Sequence, residues 1–217
     1  MPAWNELFEE AENRWQEPLP AVLAFQSKFL KTGKTSTLDL GCGAGRNLIP
    51  IARTGSGAVG MDISGNGLKF SKDLLRKNGF PEILVQADMS APLPFASACF
   101  DNLISIHVIF HNPMAKIRFT LSEIYRVLKP RGMALITFNT VYSSRFGSGV
   151  ELEPGTWIPD QGVDKGIVHH FCTFDDLAKL MTQFKIYKVE LDENIKDGSC
   201  SSHWLVTAQK PVGKEIQ

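Results

Sequence analysis

The sequence predicts an α/β fold, in which a mostly parallel sheet of seven strands has helices on both faces and an antiparallel last strand. Apolar segments alternate with helical segments through residues 36–138. Right-handed crossovers leave such a series few arrangements other than a parallel sheet. The last two apolar segments, 185–191 and 203–209, are separated only by a polar loop, so they predict an antiparallel hairpin.

The predicted strands before this hairpin are short and apolar, as strands buried in a parallel sheet are. They cover residues 36–40, 58–63, 83–87, 100–108 and 133–138. Helical periodicity and capping residues predict the helices that alternate with them and follow them. These helices cover residues 45–53, 64–80, 115–128 and 174–181.

The chain divides into an N-terminal helical cap, residues 1–34, and an α/β domain, residues 35–217. The cap has one or two predicted helices, broken at Pro18 and Pro20. Within the domain, residues 139–173 are rich in Gly and Pro and show no clear period. A loop of this length in a compact domain is usually functional. We expect it to form a lid over the active site, which the cap also covers.

Composition excludes several classes of protein. Lys+Arg and Asp+Glu both number 23, so the net charge is zero, whereas a binder of nucleic acid or membrane surfaces would carry a basic excess. No apolar run reaches the ~18 to 20 residues of a membrane span, and the first residues are acidic, unlike a signal peptide. The four scattered cysteines predict reduced thiols. We therefore expect a cytoplasmic protein without nucleic-acid or membrane partners.

The most informative segment is Asp-Leu-Gly-Cys-Gly-Ala-Gly at residues 39–45, between the first predicted strand and a helix. Its glycines allow a tight turn, and free N–H groups at a helix start favour an anionic group. Residues 33–35, Gly-Lys-Thr, resemble the end of a P-loop, but Lys28 stands where the first glycine of that motif should be, so a P-loop is excluded. A dinucleotide fingerprint fits weakly, because Arg46 stands where its third glycine should be. Nicotinamide binding remains an alternative.

The pattern D-x-G-x-G-x-G at residues 39–45 resembles the motif of the class I S-adenosylmethionine-dependent methyltransferases, which have a Rossmann-like fold. The resemblance extends from about residue 35 to residue 140. GCGAGRN, at residues 41–47, also resembles more loosely the tellurite-resistance branch of small-molecule methyltransferases. The family holds the amino-acid end of its cofactor at this motif. The resemblance therefore implies S-adenosylmethionine as the cofactor.

The resemblance also implies a set of cofactor-binding residues at the ends of the first four strands. They are Asp39, Gly41, Cys42, Gly43, Gly45, Asn47, Asp62, Ile63, Asp88, Met89, Ser105, Ile106 and His107. Asp62 would accept hydrogen bonds from both ribose hydroxyls, and Asp88 would accept one from the adenine amino group. The N–H of Met89 would reach the adenine ring, and the main chain at Ser105–His107 would meet the cofactor's amino group. Open α/β sheets bind ligands at this carboxyl edge.

Methyl transfer from a sulfonium is an in-line displacement, so the protein mainly orients the acceptor and excludes water. A general base is needed only if the acceptor must lose a proton. His107 and His170 are the candidate bases, although His107 could instead line the cofactor cavity and His170 could cap a helix. His111 would share a face with His107 if the residues between them were helical. No third ligand is obvious nearby, so we expect no metal, and we expect His203 to be structural.

Aromatic and cationic side chains are further candidates for the site. Trp15, Phe110 and Trp157 could stabilise the sulfonium cation through their ring faces. Arg145, in the predicted lid, could bind an anionic acceptor. The NPPY-type tetrad of enzymes that methylate exocyclic amino groups of DNA bases, or protein glutamine, is absent, because the fourth strand ends in Ser-Ile-His-Val at residues 105–108.

These observations predict an S-adenosylmethionine-dependent methyltransferase that acts on a small-molecule acceptor and produces S-adenosylhomocysteine. Two alternatives remain open: a protein that binds the cofactor without catalysis, and an NAD-dependent oxidoreductase. We expect a monomer or a homodimer.

Overall fold

The structure of the protein, a computed structural model, describes residues 4–6, 8, 17–30, 35–162 and 164–213. Residues 4–6 and 8 are helical. The further helices are α1 (Pro20–Phe29), α2 (Leu48–Arg53), α3 (Gly65–Lys77), α4 (Met114–Val127) and α5 (Phe174–Leu180). The strands are β1 (Ser36–Leu40), β2 (Gly57–Asp62), β3 (Leu84–Gln86), β4 (Phe100–Ser105), β5 (Leu128–Thr140), β6 (Val150–Glu153), β7 (Thr156–Ile158), β8 (His169–Cys172), β9 (Lys185–Lys196) and β10 (Ser199–Gln209).

The predicted α/β fold is confirmed. Strands β3, β2, β1, β4 and β5 lie side by side in that order and are parallel. Strand β10 then pairs with β5 in the antiparallel direction, and β9 completes the hairpin beyond it. One apolar cluster packs α4 and α5 against one face of the sheet. A second packs α1, α2 and α3 against the other face.

The sheet has ten strands rather than seven. The difference lies in residues 139–173, which were expected to form a loop. Strand β8 pairs in parallel with the end of β5, through Asn139 with Phe171 and Thr140 with Cys172. Strands β7 and β6 continue the sheet in the antiparallel direction. These strands are three or four residues long, too short to produce a recognisable alternation in the sequence.

Backbone geometry makes one helix begin later, and one strand end earlier, than the sequence predicts. The helix predicted from residue 45 begins at Leu48, because Gly45 has a φ of +88° and completes a turn. The strand predicted to residue 108 ends at Ser105, because His107 has a φ of +57°. The helix predicted over 64–80 is confirmed as α3, whose N-cap Ser64 accepts a hydrogen bond from the N–H of Gly67.

Within the described ranges, no helix combines the length and the apolar character needed to cross a bilayer.

Candidate functional site

A cavity of about 790 Å³ opens at the carboxyl ends of β1, β2 and β4. Most of the predicted cofactor-binding residues line it: Gly41, Cys42, Gly43, Asn47, Asp62, Ile63, Asp88, Met89, Ile106 and His107. Three other predicted residues, Asp39, Gly45 and Ser105, do not line the cavity. The remaining walls come from the N-terminal residues, the segment after β5 and the β9–β10 hairpin. The cavity is thus continuous from the glycine turn to the far end of the sheet.

The glycine turn is held against the end of β2. The N–H groups of Gly41 and Cys42 both donate to the carbonyl oxygen of Met61, at 2.7 and 3.0 Å. Gly45 packs so closely on α3 that an added Cβ atom would lie 2.7 Å from Oγ and 3.1 Å from Cα of Ser71. Because Gly45 also has a positive φ, only glycine fits this position without strain.

Asp62 is fixed by backbone donors at the end of β2. Its Oδ2 accepts from the N–H of Gly43 at 2.8 Å, and its Oδ1 accepts from the N–H of Ser64 at 2.8 Å. Burial raises the pKa of Asp62, although the N–H groups of Ser64 and Gly43 oppose this. The side chain is therefore oriented before any ligand binds, and each carboxylate oxygen keeps a second lone pair for a ligand donor.

Two further acidic residues lie near the turn. Asp88 lines the cavity, and its Oδ1 accepts from the N–H of Ser90 at 2.8 Å and from the hydroxyl of Ser90 at 2.7 Å. Asp39 is buried beneath the turn, and its Oδ2 has no hydrogen-bond partner among the described residues. Burial raises the pKa of Asp39 to about 7, with the nearby Arg46 opposing the shift.

These features fit the cofactor that the resemblance implies. The glycine turn and Asp62 line the cavity, the two oxygens of Asp62 are oriented to accept from a diol, and Nε2 of His107, which also lines the cavity, is buried without a hydrogen-bond partner among the described residues. Buried polar groups in native proteins are rarely left unpaired. The arrangement therefore suits a ligand that carries polar groups on a nucleoside and an amino-acid end.

The other half of the cavity is rich in imidazole rings. The rings of His107 and His203 stack with centroids 4.3 Å apart, and those of His111 and His169 meet edge-on at 4.5 Å. All four residues line the cavity. The condition for His107 and His111 to share a helix face is not met, because residues 106–113 are not helical. His203, expected to be structural, forms part of the cavity wall.

His111 has a defined tautomer. Its Nδ1 lies 3.3 Å from the carbonyl oxygen of Val168, which can only accept, so Nδ1 carries the proton. Its Nε2 therefore has a free lone pair. Burial, and next the neighbouring His169, lower the pKa of His111 from 6.5 to about 3, so the ring is neutral at physiological pH.

His170, predicted as a candidate base, does not line the cavity. It lies in β8, where its Nδ1 is 2.7 Å from Oγ1 of Thr156 and its N–H donates to the carbonyl oxygen of Phe110. The alternative that it caps α5 is wrong, because the hydroxyl of Thr173 accepts from the N–H of Asp176 at that position.

A charged pair closes the far side of the cavity. Arg145 forms an ion pair with Asp164, and Nε2 of His169 lies 2.9 Å from Oδ2 of the same carboxylate. Burial alone would raise the pKa of Asp164, but His169 and Arg145 hold it below its usual value. Arg145 thus lines the cavity with its charge largely compensated.

Of the aromatic candidates, Phe110 lines the cavity and Trp157 does not. Trp15 lies outside the described residues. The sequence analysis missed Trp4 and Phe8, which line the cavity from the N-terminal helical residues. The ring of Trp4 meets His111 at 4.9 Å. Nothing in the local sequence distinguishes these two residues from ordinary core positions of an amphipathic helix.

Acid is expected to destabilise the protein through His111. The unfolded chain binds a proton near pH 6.5 and the folded chain only near 3, so stability present above pH 6.5 is lost as the pH falls. At pH 5 this amounts to about 2 kcal/mol. Urea denaturation of wild type and His111→Gln at pH 5.0 and 7.5 should give a smaller pH-dependent loss in the variant. An identical loss in both proteins would contradict the assignment.

The fold and the cavity define an α/β protein with a ligand-sized cavity at the carboxyl edge of a parallel sheet. Residues 38–136 match a family described as the methyltransferase domain. The sterol 24-C-methyltransferase of Pneumocystis carinii is 34% identical over 107 residues, which make up 48% of this chain. The match covers 27% of that protein, and 27% to 42% of the first three curated relatives. The chain thus spans less than half of their length.

Solved structures share the fold over nearly the whole chain. An S-adenosylmethionine-dependent methyltransferase of Methanosarcina mazei has a TM-score of 0.72 at 20% identity, covering 90% of this chain and 99% of that one. The 1,6-didemethyltoxoflavin-N1-methyltransferase of Burkholderia thailandensis, solved with its acceptor and S-adenosylhomocysteine, has a TM-score of 0.70 at 17% identity, covering 95% and 85%.

Residues 38–136 are thus similar to the methyltransferase domain family, and the chain has the fold of solved S-adenosylmethionine-dependent methyltransferases. The predicted resemblance to methyltransferases is confirmed over these residues, and it is this resemblance that implies S-adenosylmethionine as the cofactor.

Proposed function

We propose that the protein transfers a methyl group from S-adenosylmethionine to a small-molecule acceptor and releases S-adenosylhomocysteine. The observation that carries this proposal is the continuity of the cavity. One space of about 790 Å³ joins the glycine turn and Asp62 to a second half lined by imidazole and aromatic rings. This volume lies in the upper part of the range for small-molecule sites, ~300 to 1,000 Å³, so it has room for a donor and an acceptor together.

In this proposal the cofactor lies along the ends of the first four strands. Asp62 accepts from the ribose hydroxyls, because its two oxygens are already oriented by Gly43 and Ser64. Asp88 accepts from the adenine amino group, and the N–H of Met89 reaches the ring. The glycine turn and the main chain after β4 bind the amino-acid end.

The chain's own residues then orient the acceptor and remove its proton. Bound S-adenosylmethionine supplies a methyl group on a positively charged sulfur, which leaves as a neutral thioether. A lone pair of the acceptor forms the bond to the methyl carbon while the electron pair of the C–S bond returns to sulfur. If the acceptor is a hydroxyl or a thiol, its proton becomes strongly acidic as the bond to the methyl carbon forms, so Nε2 of His111 can take it despite the low pKa of this ring. His107 is proposed to line the reacting space at the end of β4 rather than to act as the base.

The N-terminal cap and residues 139–173 are proposed to cover the site. Trp4 and Phe8 contribute to the cavity from the cap, and Ser143, Arg145 and Asp164 contribute from the second segment. Walls from both segments restrict the acceptor to a small molecule and exclude water, which strengthens electrostatic interactions inside. The division into a cap of residues 1–34 and a methyltransferase domain of residues 35–217 is part of this proposal.

Methyl turnover tests the proposal. The protein is incubated with S-adenosylmethionine and a panel of thiols, amines, phenols, carboxylates and chalcogen oxyanions, and S-adenosylhomocysteine is quantified by mass spectrometry. We expect formation of S-adenosylhomocysteine that depends on one acceptor class. Micromolar binding of S-adenosylhomocysteine without turnover of any acceptor would instead favour the non-catalytic, cofactor-binding alternative.

The same assay tests His111. We expect His111→Gln to lower turnover of a proton-bearing acceptor by about 100-fold, in the usual range for a general base, and to leave binding of S-adenosylhomocysteine within about threefold. His170→Gln is the matched control, because His170 lies outside the cavity, and it should retain turnover where thermal unfolding shows it to be folded. Full activity of His111→Gln would remove this residue from the mechanism.

A further inference from the structure

Three potential metal ligands lie close together beside the cavity, although the sequence predicts no metal; His107 and His203 line the cavity and Asp192 does not. His107 follows β4, whereas Asp192 and His203 belong to the hairpin of β9 and β10. One ligand atom from each of the three residues lies within 4.8 Å of the other two. These residues are separated by up to 96 positions in the sequence, so no local spacing could reveal them.

We propose that His107, Asp192 and His203 bind a divalent transition-metal ion, and that this ion holds an oxygen of the methyl acceptor. The second part rests on the proposed function, and the first part does not.

The register of the hairpin places two of the ligands. His203 and Asp192 are opposite one another in the antiparallel pair of β10 and β9. Side chains that face each other across such a pair lie on the same side of the sheet, with Cβ atoms about 5 Å apart. Strand β10 also pairs with β5, where His203 is opposite Asn139, a residue that lines the cavity. The face of the hairpin that carries His203 and Asp192 is therefore the face toward the site.

The backbone of His107 brings the third ligand to this pair. Its φ of +57° is uncommon for a residue other than glycine. The conformation is held by a hydrogen bond from its N–H to Oγ1 of Thr137, at 2.6 Å. Nε2 of His107 is buried and has no hydrogen-bond partner among the described residues. Strained backbone and an unpaired buried nitrogen at one residue indicate a functional constraint.

The ligand set selects the kind of ion. Two imidazoles and one carboxylate suit Zn²⁺, Fe²⁺ or Co²⁺, whereas Mg²⁺ and Ca²⁺ prefer oxygen ligands. Ligand atoms about 2.1 Å from a tetrahedral ion lie about 3.4 Å apart. In the structure the ligand atoms are at most 4.8 Å apart, so the atoms of each pair would have to approach one another by at most about 1.4 Å. The rings of His107 and His203 stack with centroids 4.3 Å apart, so they would rotate about their side-chain torsions to direct a nitrogen of each ring at a shared ion.

Three protein ligands leave at least one position open, as in catalytic metal sites. His107 and His203 both line the cavity, so an open position would face the acceptor. We therefore expect the acceptor to present a hydroxyl or carboxylate oxygen.

Metal titration of the tag-free, full-length protein tests the first part, with Co²⁺ followed by visible absorption and Zn²⁺ by calorimetry. We expect one ion per chain with micromolar affinity or tighter, and no comparable binding of Mg²⁺. Asp192→Asn and His203→Ala should each weaken Co²⁺ binding at least tenfold. Glu190→Gln, which removes a carboxylate two residues away on β9, should not change it.

Binding of S-adenosylhomocysteine by the same variants separates this proposal from the proposed function. It should stay within threefold of wild type in Asp192→Asn and His203→Ala. No Co²⁺ binding by the wild-type protein, or equal binding by Asp192→Asn, would overturn the metal site. Methyl turnover that is unchanged after chelation with EDTA would overturn the role of the ion in holding the acceptor while leaving the methyltransferase proposal intact.

Discussion

Replacing Asp62 with alanine is expected to weaken the binding of S-adenosylhomocysteine about 100-fold, which is ~2.7 kcal/mol. Asp62 is almost fully buried at the carboxyl end of β2, and the N–H groups of Gly43 and Ser64 orient its two oxygens before the ligand binds. In the proposed complex these oxygens accept from both ribose hydroxyls. Hydrogen bonds to a charged acceptor contribute roughly 1.5 to 3 kcal/mol, more than those between neutral groups. The variant would lose this contribution and leave the hydroxyls without partners.

Calorimetric titration with S-adenosylhomocysteine measures this effect. Asp73→Asn is the matched control, because Asp73 is an exposed carboxylate on α3 that pairs only weakly with Arg76, at 3.7 Å. It should bind as tightly as wild type. Circular dichroism checks that Asp62→Ala keeps its helices, because the variant also loses one hydrogen bond to the glycine turn, from Gly43, and one from Ser64, the N-cap of α3. An unchanged dissociation constant in folded Asp62→Ala would refute the proposed role of this carboxylate.

Gly45→Ala is expected to destabilise the protein by about 3 kcal/mol and to lower its affinity for the cofactor at least tenfold. Two costs add at this position. A side chain at a φ of +88° costs ~1 to 2 kcal/mol. The new Cβ would also lie 3.1 Å from Cα of Ser71, a backbone atom of α3 that cannot rotate away, and such overpacking costs ~1 to 3 kcal/mol. The turn must shift, which displaces its residues that line the cavity.

Gly79→Ala separates the two costs. Gly79 has a φ of +74°, but an added Cβ would meet no atom within 4 Å. This variant should therefore lose only about 1 kcal/mol and should bind the cofactor normally. For a chain of this size 1 kcal/mol corresponds to ~2 to 4 °C in Tm, so the two variants should be well separated by thermal unfolding. Equal losses in Gly45→Ala and Gly79→Ala would show that the contact with Ser71 carries no energy.

The parallel part of the sheet and the cofactor half of the cavity were predictable from the sequence. Strands β1 to β4 are short segments of three to six residues, β5 contains the apolar segment 133–138, and the glycine turn follows β1 directly. Of the residues named for the cofactor, most line the cavity, including Asp62 and Asp88. Asp39, Gly45 and Ser105 do not line it. Asp39 is buried under the turn, and Gly45 allows the close contact with α3.

The acceptor half of the cavity, which is the half lined by imidazole rings, was predicted less well from the sequence. Residues 139–173 were expected to form an irregular loop, because the strands they contain are too short to show a period. His170 was chosen over His169 as the candidate base. In the strand β8, however, neighbouring side chains point to opposite faces, and His169 is the one that lines the cavity. A strand had to be recognised before that alternation could be applied.

The sequence by itself determined the resemblance to methyltransferases, the parallel sheet and the position of the glycine turn. Each of these depends on residues that are neighbours along the chain, such as three glycines and an acidic residue between a strand and a helix. The tertiary structure alone decided the composition of the acceptor half. His107, Asp192 and His203 meet only because β10 returns antiparallel to β5 and carries β9 with it. That register is set by packing of the whole sheet, so no local pattern of residues records it.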